Sequence, residues 1–160
     1  MKNGWAVATA ALLISLIPRP AAADITAFLG ANTTPANRLT KGFAFGAGLL
    51  FIGFEFEYAD TSDDVASGSP ELKTYMGNVL LQTPMAVFGF QPYFTIGGGV
   101  YDESLVAHSS TSFGSNTGGG VKISLIGPLR VRVDYRIMSL TGSSLYSPVH
   151  RFYVGANLKF

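Results

Sequence analysis

Three short runs alternate charged with apolar side chains: Glu55 and Glu57 in Phe54-Glu-Phe-Glu-Tyr58, Lys122 in Val121-Lys-Ile123, and Arg132, Asp134 and Arg136 in Val131-Arg-Val-Asp-Tyr-Arg136. In an extended chain this alternation puts the charges on one face and the apolar residues on the other. Where the charged face is enclosed, an unpaired ion costs several kcal/mol, so these acids and bases are expected to pair. Two other groupings could do chemistry. His108-Ser109-Ser110, with Asp102 or Glu103 to orient the imidazole, has the residue types of a base, a nucleophile and an acid. Asp60, Asp63 and Asp64 offer oxygen ligands to a hard cation, but their spacing matches no defined calcium loop, and a charged loop is the simpler reading. The glycine triplets at 97–99 and 118–120 lack the helix that a phosphate cradle needs. They fall within strand patterns and are expected to face each other across a hairpin centred near His108, leaving room for Tyr93, Tyr101 or Arg136.

The elements that position these residues are strands. From Asp24 onward apolar and polar residues alternate with a period of two, in eight segments: 24–32, 41–50, 51–60, 72–82, 91–101, 114–126, 129–139 and 150–160. Each is near the roughly 9–11 residues a tilted strand needs to cross a bilayer. The second and third segments meet around Leu50-Phe51, the sixth and seventh turn at Gly127-Pro128, and residues 83–90 link the fourth to the fifth. The other connections, 33–40, 61–71, 102–113 and 140–149, read as longer polar loops. Short turns alternating with long loops, and an even strand count, are the habit of outer-membrane barrels and put both ends on the periplasmic side.

Composition narrows the class. Of 160 residues, 48% are hydrophobic and only 13% charged, against roughly 25% charged in average soluble domains. A net charge of +1 gives no basic excess for a nucleic-acid surface. The absence of cysteine excludes a disulfide scaffold, a Cys-ligated zinc site and a thiol nucleophile. The start has the form of a secretory signal peptide over residues 1–23: a basic Met1-Lys2-Asn3, an apolar run over 5–17 too short to span a membrane, then Ala21-Ala22-Ala23 for cleavage. No later apolar run escapes interruption, so entry into a membrane would require a closed barrel.

The two faces differ sharply. One carries Phe43, Phe45, Phe54, Phe56, Val79, Phe94, Ile96, Val131, Val133, Phe152 and Val154, with Tyr58, Tyr75 and Tyr135 as candidates for interfacial belts. The other mixes glycines with Glu55, Glu57, Lys122, Arg130, Arg132, Asp134, Arg136, Arg151 and Lys159. Small residues beside long charged ones suit the crowded bore of an eight-stranded barrel. The fold expected is thus all-β, an eight-stranded antiparallel up-and-down transmembrane β-barrel over residues 24–160. The inverted alternative is a secreted, lipocalin-like barrel with an apolar cavity. The third and seventh strands lie opposite each other in an eight-membered ring. Glu55 and Glu57 are therefore expected to reach Arg132, Asp134 and Arg136 across the bore, plugging it with a salt-bridge network that includes Lys122. The surplus of basic groups is expected nearer the wet ends, at Arg130, Arg151 and Lys159.

Gly118-Gly-Gly-Val-Lys-Ile-Ser-Leu-Ile-Gly-Pro-Leu-Arg-Val-Arg-Val-Asp-Tyr-Arg136 resembles the penultimate hairpin of the OmpA-like and opacity-protein-like outer-membrane β-barrel family. Pro92-Tyr-Phe-Thr-Ile-Gly-Gly-Gly-Val100 resembles its preceding strand, and Arg151-Phe-Tyr-Val-Gly-Ala-Asn-Leu-Lys-Phe160 its closing strand. In that closing strand Phe152, Leu158 and Phe160 match the alternating signal, ending in an aromatic residue, that the barrel assembly machinery reads. The resemblance implies a place in the cell outer membrane, contact with its lipid and lipopolysaccharide, and a monomer. It also implies a structural or surface-interaction role, such as envelope integrity or adhesion, without enzymatic activity, cofactor, metal or nucleic-acid partner. The sequence stops at Phe160, so the resemblance does not extend to the peptidoglycan-binding domain of larger members. Small outer-membrane barrels also include lipid A deacylases with a Ser–His pair, and an enzyme built on His108 and Ser110 is the second reading. The stretch departs from that pattern, since no Asn follows the serine and no acid sits on the next strand.

Overall fold

Alternation of the kind in Phe54-Glu55-Phe56-Glu57 and Val131-Arg132-Val133-Asp134 leaves each strand one greasy and one polar face, and eight such strands can hide the polar face only by closing on themselves. The computed structural model, which describes residues 22–106 and 108–160, has this form. Its strands are β1 (Ala22–Asn32), β2 (Arg38–Leu49), β3 (Ile52–Thr61), β4 (Glu71–Gln82), β5 (Phe90–Leu105), β6 (His108–Ser124), β7 (Leu129–Leu140) and β8 (Val149–Lys159). Every strand pairs antiparallel with its sequence neighbours, and β8 returns to β1 through Asp24 opposite Lys159 and Asn32 opposite Arg151, closing the barrel. The expected signal peptide lies outside the described residues except for Ala22 and Ala23, which pair with Gly48 and Ala47.

The barrel buries its charges and exposes its grease. Phe54 is 65% exposed while Glu55 beside it is 5% exposed. Leu29, Phe45, Phe56, Leu81, Phe94, Ile96, Phe152 and Val154 are likewise exposed. A soluble monomer rarely exposes a contiguous apolar patch beyond a few hundred Å², and this band runs round the whole barrel. Tyr58 packs against Phe43 and Tyr75, with ring centroids 5.3 and 5.1 Å apart. The inverted, lipocalin-like arrangement is therefore not this fold.

Several boundaries differ from the expectation. The ladder between β5 and β6 continues to Leu105 opposite His108, so the polar stretch 102–113 is mostly strand. The stretch from Asp102 to Phe113 contains neither Gly nor Pro, and Thr111 Oγ1 donates across the ladder to Asp102 Oδ1 at 2.7 Å. For the same reason the first loop shrinks to residues 33–37, because β2 starts at Arg38. The glycine triplets do not face each other. Gly98 pairs with Ser115 and Gly119 with Phe94, because the hairpin turns before His108 and shifts the register. The inward face is also less uniformly polar than the pattern suggested. Leu72, Tyr101, Met138, Leu140 and Val149 cluster inside the end that carries residues 62–70 and 141–148, forming an apolar roof.

Candidate functional site

The chemistry of the molecule is concentrated in the bore, most of it beneath that roof. Six basic and five acidic side chains are buried among the described residues: Arg38, Lys122, Arg130, Arg132, Arg136 and Arg151 with Asp24, Glu55, Glu57, Glu103 and Asp134. They are stacked in layers because successive inward positions on a strand lie two residues apart.

At the short-turn end Lys122 Nζ lies 2.5 Å from Asp24 Oδ2, and Arg130 Nη2 lies 3.1 Å from the same oxygen. Arg130 also donates from Nε to Asn157 Oδ1 and from Nη1 to Gln91 Oε1, each at 2.8 Å. In the middle layer Arg132 crosses from β7 to β3 and donates through Nη1 to Glu55 Oε2 and through Nη2 to Glu55 Oε1, the latter at 3.2 Å. The same Nη2 reaches Asp134 Oδ2 at 3.0 Å, and Nε donates to the Tyr93 hydroxyl at 2.7 Å. The Tyr93 hydroxyl in turn donates to Asp134. The Arg132 guanidinium also sits 4.8 Å from the Tyr93 ring centroid and 5.6 Å from that of Tyr153, a cation flanked by two π-faces.

Arg136 joins this layer to the next. Its Nη2 lies 2.9 Å from Glu55 Oε1 and 3.1 Å from Glu57 Oε2, and its Nε donates to Asp134 Oδ1 at 3.0 Å. Above it, Arg151 Nη1 lies 3.3 Å from Glu57 Oε1, while Nε donates to Asn32 and Nη2 to Thr74, both at 3.2 Å. Tyr153 donates to Glu57 at 3.1 Å and stacks on Phe28 with centroids 4.0 Å apart. Two glycines make this crowding possible. A side chain at Gly118 would collide with Arg136 and the Tyr135 carbonyl, and one at Gly120 with the Tyr93 ring and the Val133 carbonyl.

Of the predicted network residues, Glu55, Glu57, Arg132, Asp134 and Arg136 form one connected cluster, and Lys122 belongs to a separate one with Asp24 and Arg130. Two placements differ from the expectation, those of Arg151 and Arg130, whereas Lys159 stands at a wet end as expected. Arg151 is fully buried rather than at a wet rim, because the roof closes above it. Arg130 lies near the short-turn end but is covered by Gln91, Asn157 and Asp24. Lys159 is exposed, being the last residue of β8, where the wall ends. The surplus of basic charge is also smaller than the pattern implied, because Asp24 and Glu103 face inward too. Parity along β1 identifies Asp24, since Thr26, Phe28 and Asn32 share its buried face. Phe152 and Leu158 point outward from β8, and Phe160 beyond it is exposed, its N–H donating to the Ala23 carbonyl at 2.8 Å.

The other groupings resolve differently. His108 Nε2 lies 3.7 Å from Glu103 Oε2, an oxygen that accepts the Leu145 N–H at 2.9 Å. Among the described residues neither Ser109 nor Ser110 bonds to His108, so base and acid approach without a nucleophile. Asp102 is engaged by Thr111 instead. Asp60 lies 3.7 Å from Lys41, and Asp64 caps the short 3-10 turn Val65–Ser67, accepting from the N–H of Ala66 at 3.1 Å and of Ser67 at 3.4 Å. Hydrogen bonding from Ser67, then from Ala66, holds the Asp64 carboxyl below the ordinary aspartate range. With the folded value depressed, the cap's contribution is complete above the ordinary aspartate value and is lost as pH falls through the depressed one. An NMR titration should find the Asp64 midpoint lower in the folded barrel than in the urea-unfolded chain, and Asp64→Asn should abolish the pH response of the Ala66 and Ser67 amides. Equal midpoints in the two states would refute the cap.

The sequence profile described as "Outer membrane protein beta-barrel domain" matches residues 9–160. No curated protein matches the chain by sequence. Among solved structures, the N-terminal β-barrel domain of Pseudomonas aeruginosa OprF superposes with a TM-score of 0.65 at 16% identity, covering 87% of this chain and 97% of that one. Neisserial surface protein A gives 0.61 at 14% identity, with 87% and 94% covered. The outer membrane enzyme PagL gives 0.53 at 13% identity, with 84% and 98% covered. At these identities the likeness is one of fold.

Proposed function

Because the chain belongs to the outer membrane protein β-barrel family and resides in the outer membrane, we propose that it acts there as a non-catalytic structural or surface-contact protein with a sealed bore. The observation that carries this reading is the ionic cluster joining β7 and β8 to β3, wholly enclosed and capped by apolar side chains. A conducting bore would keep such groups hydrated and apart. Here fully buried guanidiniums meet carboxylates from the opposite wall. What the barrel offers to the outside is its rim: residues 33–37, 62–70 and 141–148 and the hairpin of β5 and β6 that rises among them. On this reading a signal peptide over residues 1–23 directs export, Phe152, Leu158 and Phe160 present the assembly signal, and the inserted barrel is a monomer in contact with outer-membrane lipid and lipopolysaccharide.

Planar-bilayer recording tests the seal. The purified barrel should show no steady conductance, and a large, stable open level would sink the reading. The non-catalytic part is tested by the mass of lipid A from cells with and without the protein, and with His108→Ala or Ser110→Ala. All are expected to be identical, because Glu103 and His108 approach each other with, among the described residues, no serine bonded to either. A shift in mass that depends on the protein and vanishes in either variant would establish the enzyme instead.

A further inference from the structure

The outward face of the barrel carries a walled depression where β1 meets β8. Ala27 and Ala156 pair directly across the two strands and form its floor. Along the same row the floor is flanked by Phe43 on β2 and Val131 on β7. Two residues further along each strand, Leu29 and Val154 rise on the side toward Lys41. The depression so outlined is open to the surroundings along its outer side and has a volume of about 730 Å³. Lys41 stands at its mouth, paired with Leu29 in the ladder and with its side chain 67% exposed. Asp60 lies 3.7 Å from the ammonium, and one carboxylate at that distance occupies at most one of its three donors.

The level of Lys41 in the wall is informative. Lys41, Asp60, Lys73 and Asp102 form a registered row across β2 to β5, one step beyond the aromatic row of Phe43, Tyr58 and Tyr75. Aromatic rings followed by charges mark the passage from hydrocarbon to headgroups. The depression therefore lies at acyl-chain depth, with a cation where a lipid carries its phosphate.

We propose that this depression is a lipid site, taking one acyl chain of a phosphate-bearing lipid against Ala27 and Ala156 and that lipid's phosphate on the Lys41 ammonium. The inference rests on the barrel spanning the membrane, as proposed above. Hydrocarbon fits the apolar floor and walls, and an anionic headgroup complements Lys41. A second copy of the chain fits less well. A two-fold axis along the membrane normal would bring both Lys41 side chains to the same level of one interface.

The chain has one tryptophan, Trp5, so a Trp5→Phe background permits a single reporter. The reporter is Phe43→Trp in the wall of the depression, and the control is Phe94→Trp on the outward face of β5. Each barrel is inserted into phosphatidylcholine vesicles doped with acyl-brominated phosphatidic acid or acyl-brominated phosphatidylcholine. At Phe43→Trp the phosphatidic acid should reach half-quenching at about five-fold lower mole fraction, the scale of one lysine acting on an anionic lipid. Lys41→Gln should remove that preference, and Phe94→Trp should show none. Equal quenching by both lipids at Phe43→Trp, or a preference that survives Lys41→Gln, would overturn the site. Quenching at Phe43→Trp weaker than at Phe94→Trp with either lipid would mean that a second copy covers the floor, and would also overturn it. Silence at both reporters would overturn the membrane placement and, with it, the site.

Discussion

Arg132→Ala should lower the stability of the barrel by about 3–5 kcal/mol, the cost of breaking a buried ion pair and leaving its partner behind. Arg132 is fully buried and holds Glu55, Asp134 and Tyr93 together. Removing it strips Glu55 of one of its two arginines and takes the cation from between two aromatic rings. Urea unfolding in detergent micelles, followed by the mobility shift of heated against unheated samples, gives the stability directly. The companion variant, Arg132→Met with Glu55→Gln, should recover most of the loss, since replacing both members of a buried pair by uncharged groups of similar volume is often near neutral. A single variant as stable as the parent would show that the bore does not depend on this crossing.

Phe56→Arg has the second large effect, and its sign tests the surroundings of the barrel. Phe56 is outward and 46% exposed, in the row of Phe45 and Gly77, between the aromatic row at Tyr58 and the short-turn end. An arginine on the lipid face of a barrel costs about 2–4 kcal/mol at the bilayer midplane. In water the same change would expose a charge in place of a phenyl ring at little cost. Folding into lipid vesicles should therefore be weakened by that amount, while Val65→Arg, outside the strands in the 62–70 connection, should be silent. Equal behaviour of the two variants would contradict a lipid-facing wall.

The legible part of this architecture was the part written in parity. Glu55 and Glu57, with phenylalanines between them, and Arg132, Asp134 and Arg136, with valine and tyrosine between them, declare two faces. Ring geometry then brings β3 opposite β7. Parity failed where a strand could not be told from a loop. Serine and threonine serve both, so the stretch from Asp102 to Phe113 concealed the continuing ladder and with it the inward carboxylate of Glu103. The position of a turn decides register, and a hairpin that turns before His108 moved the glycine triplets out of opposition. Asp24 stands at the edge of the expected cleavage site, where nothing in the sequence separates a bore acid from the first residue of an exported chain. The roof of Leu72, Met138, Leu140 and Val149 breaks the rule that the inner face is polar, and only the closed ring makes these residues neighbours.

Closure of β8 on β1 brings the two ends of the folded chain to one rim, where the Phe160 N–H reaches the Ala23 carbonyl. The wall thus has no preferred seam: every strand has the same two kinds of neighbour, and the order of the staves is cyclic. A circular permutant that joins Phe160 to the start of β1 through a short linker and opens the chain within residues 62–70 should keep every ladder and the ionic cluster of Glu55, Glu57, Arg132, Asp134 and Arg136. The identity of this barrel lies in the cycle of its strands rather than in the place where the polypeptide begins.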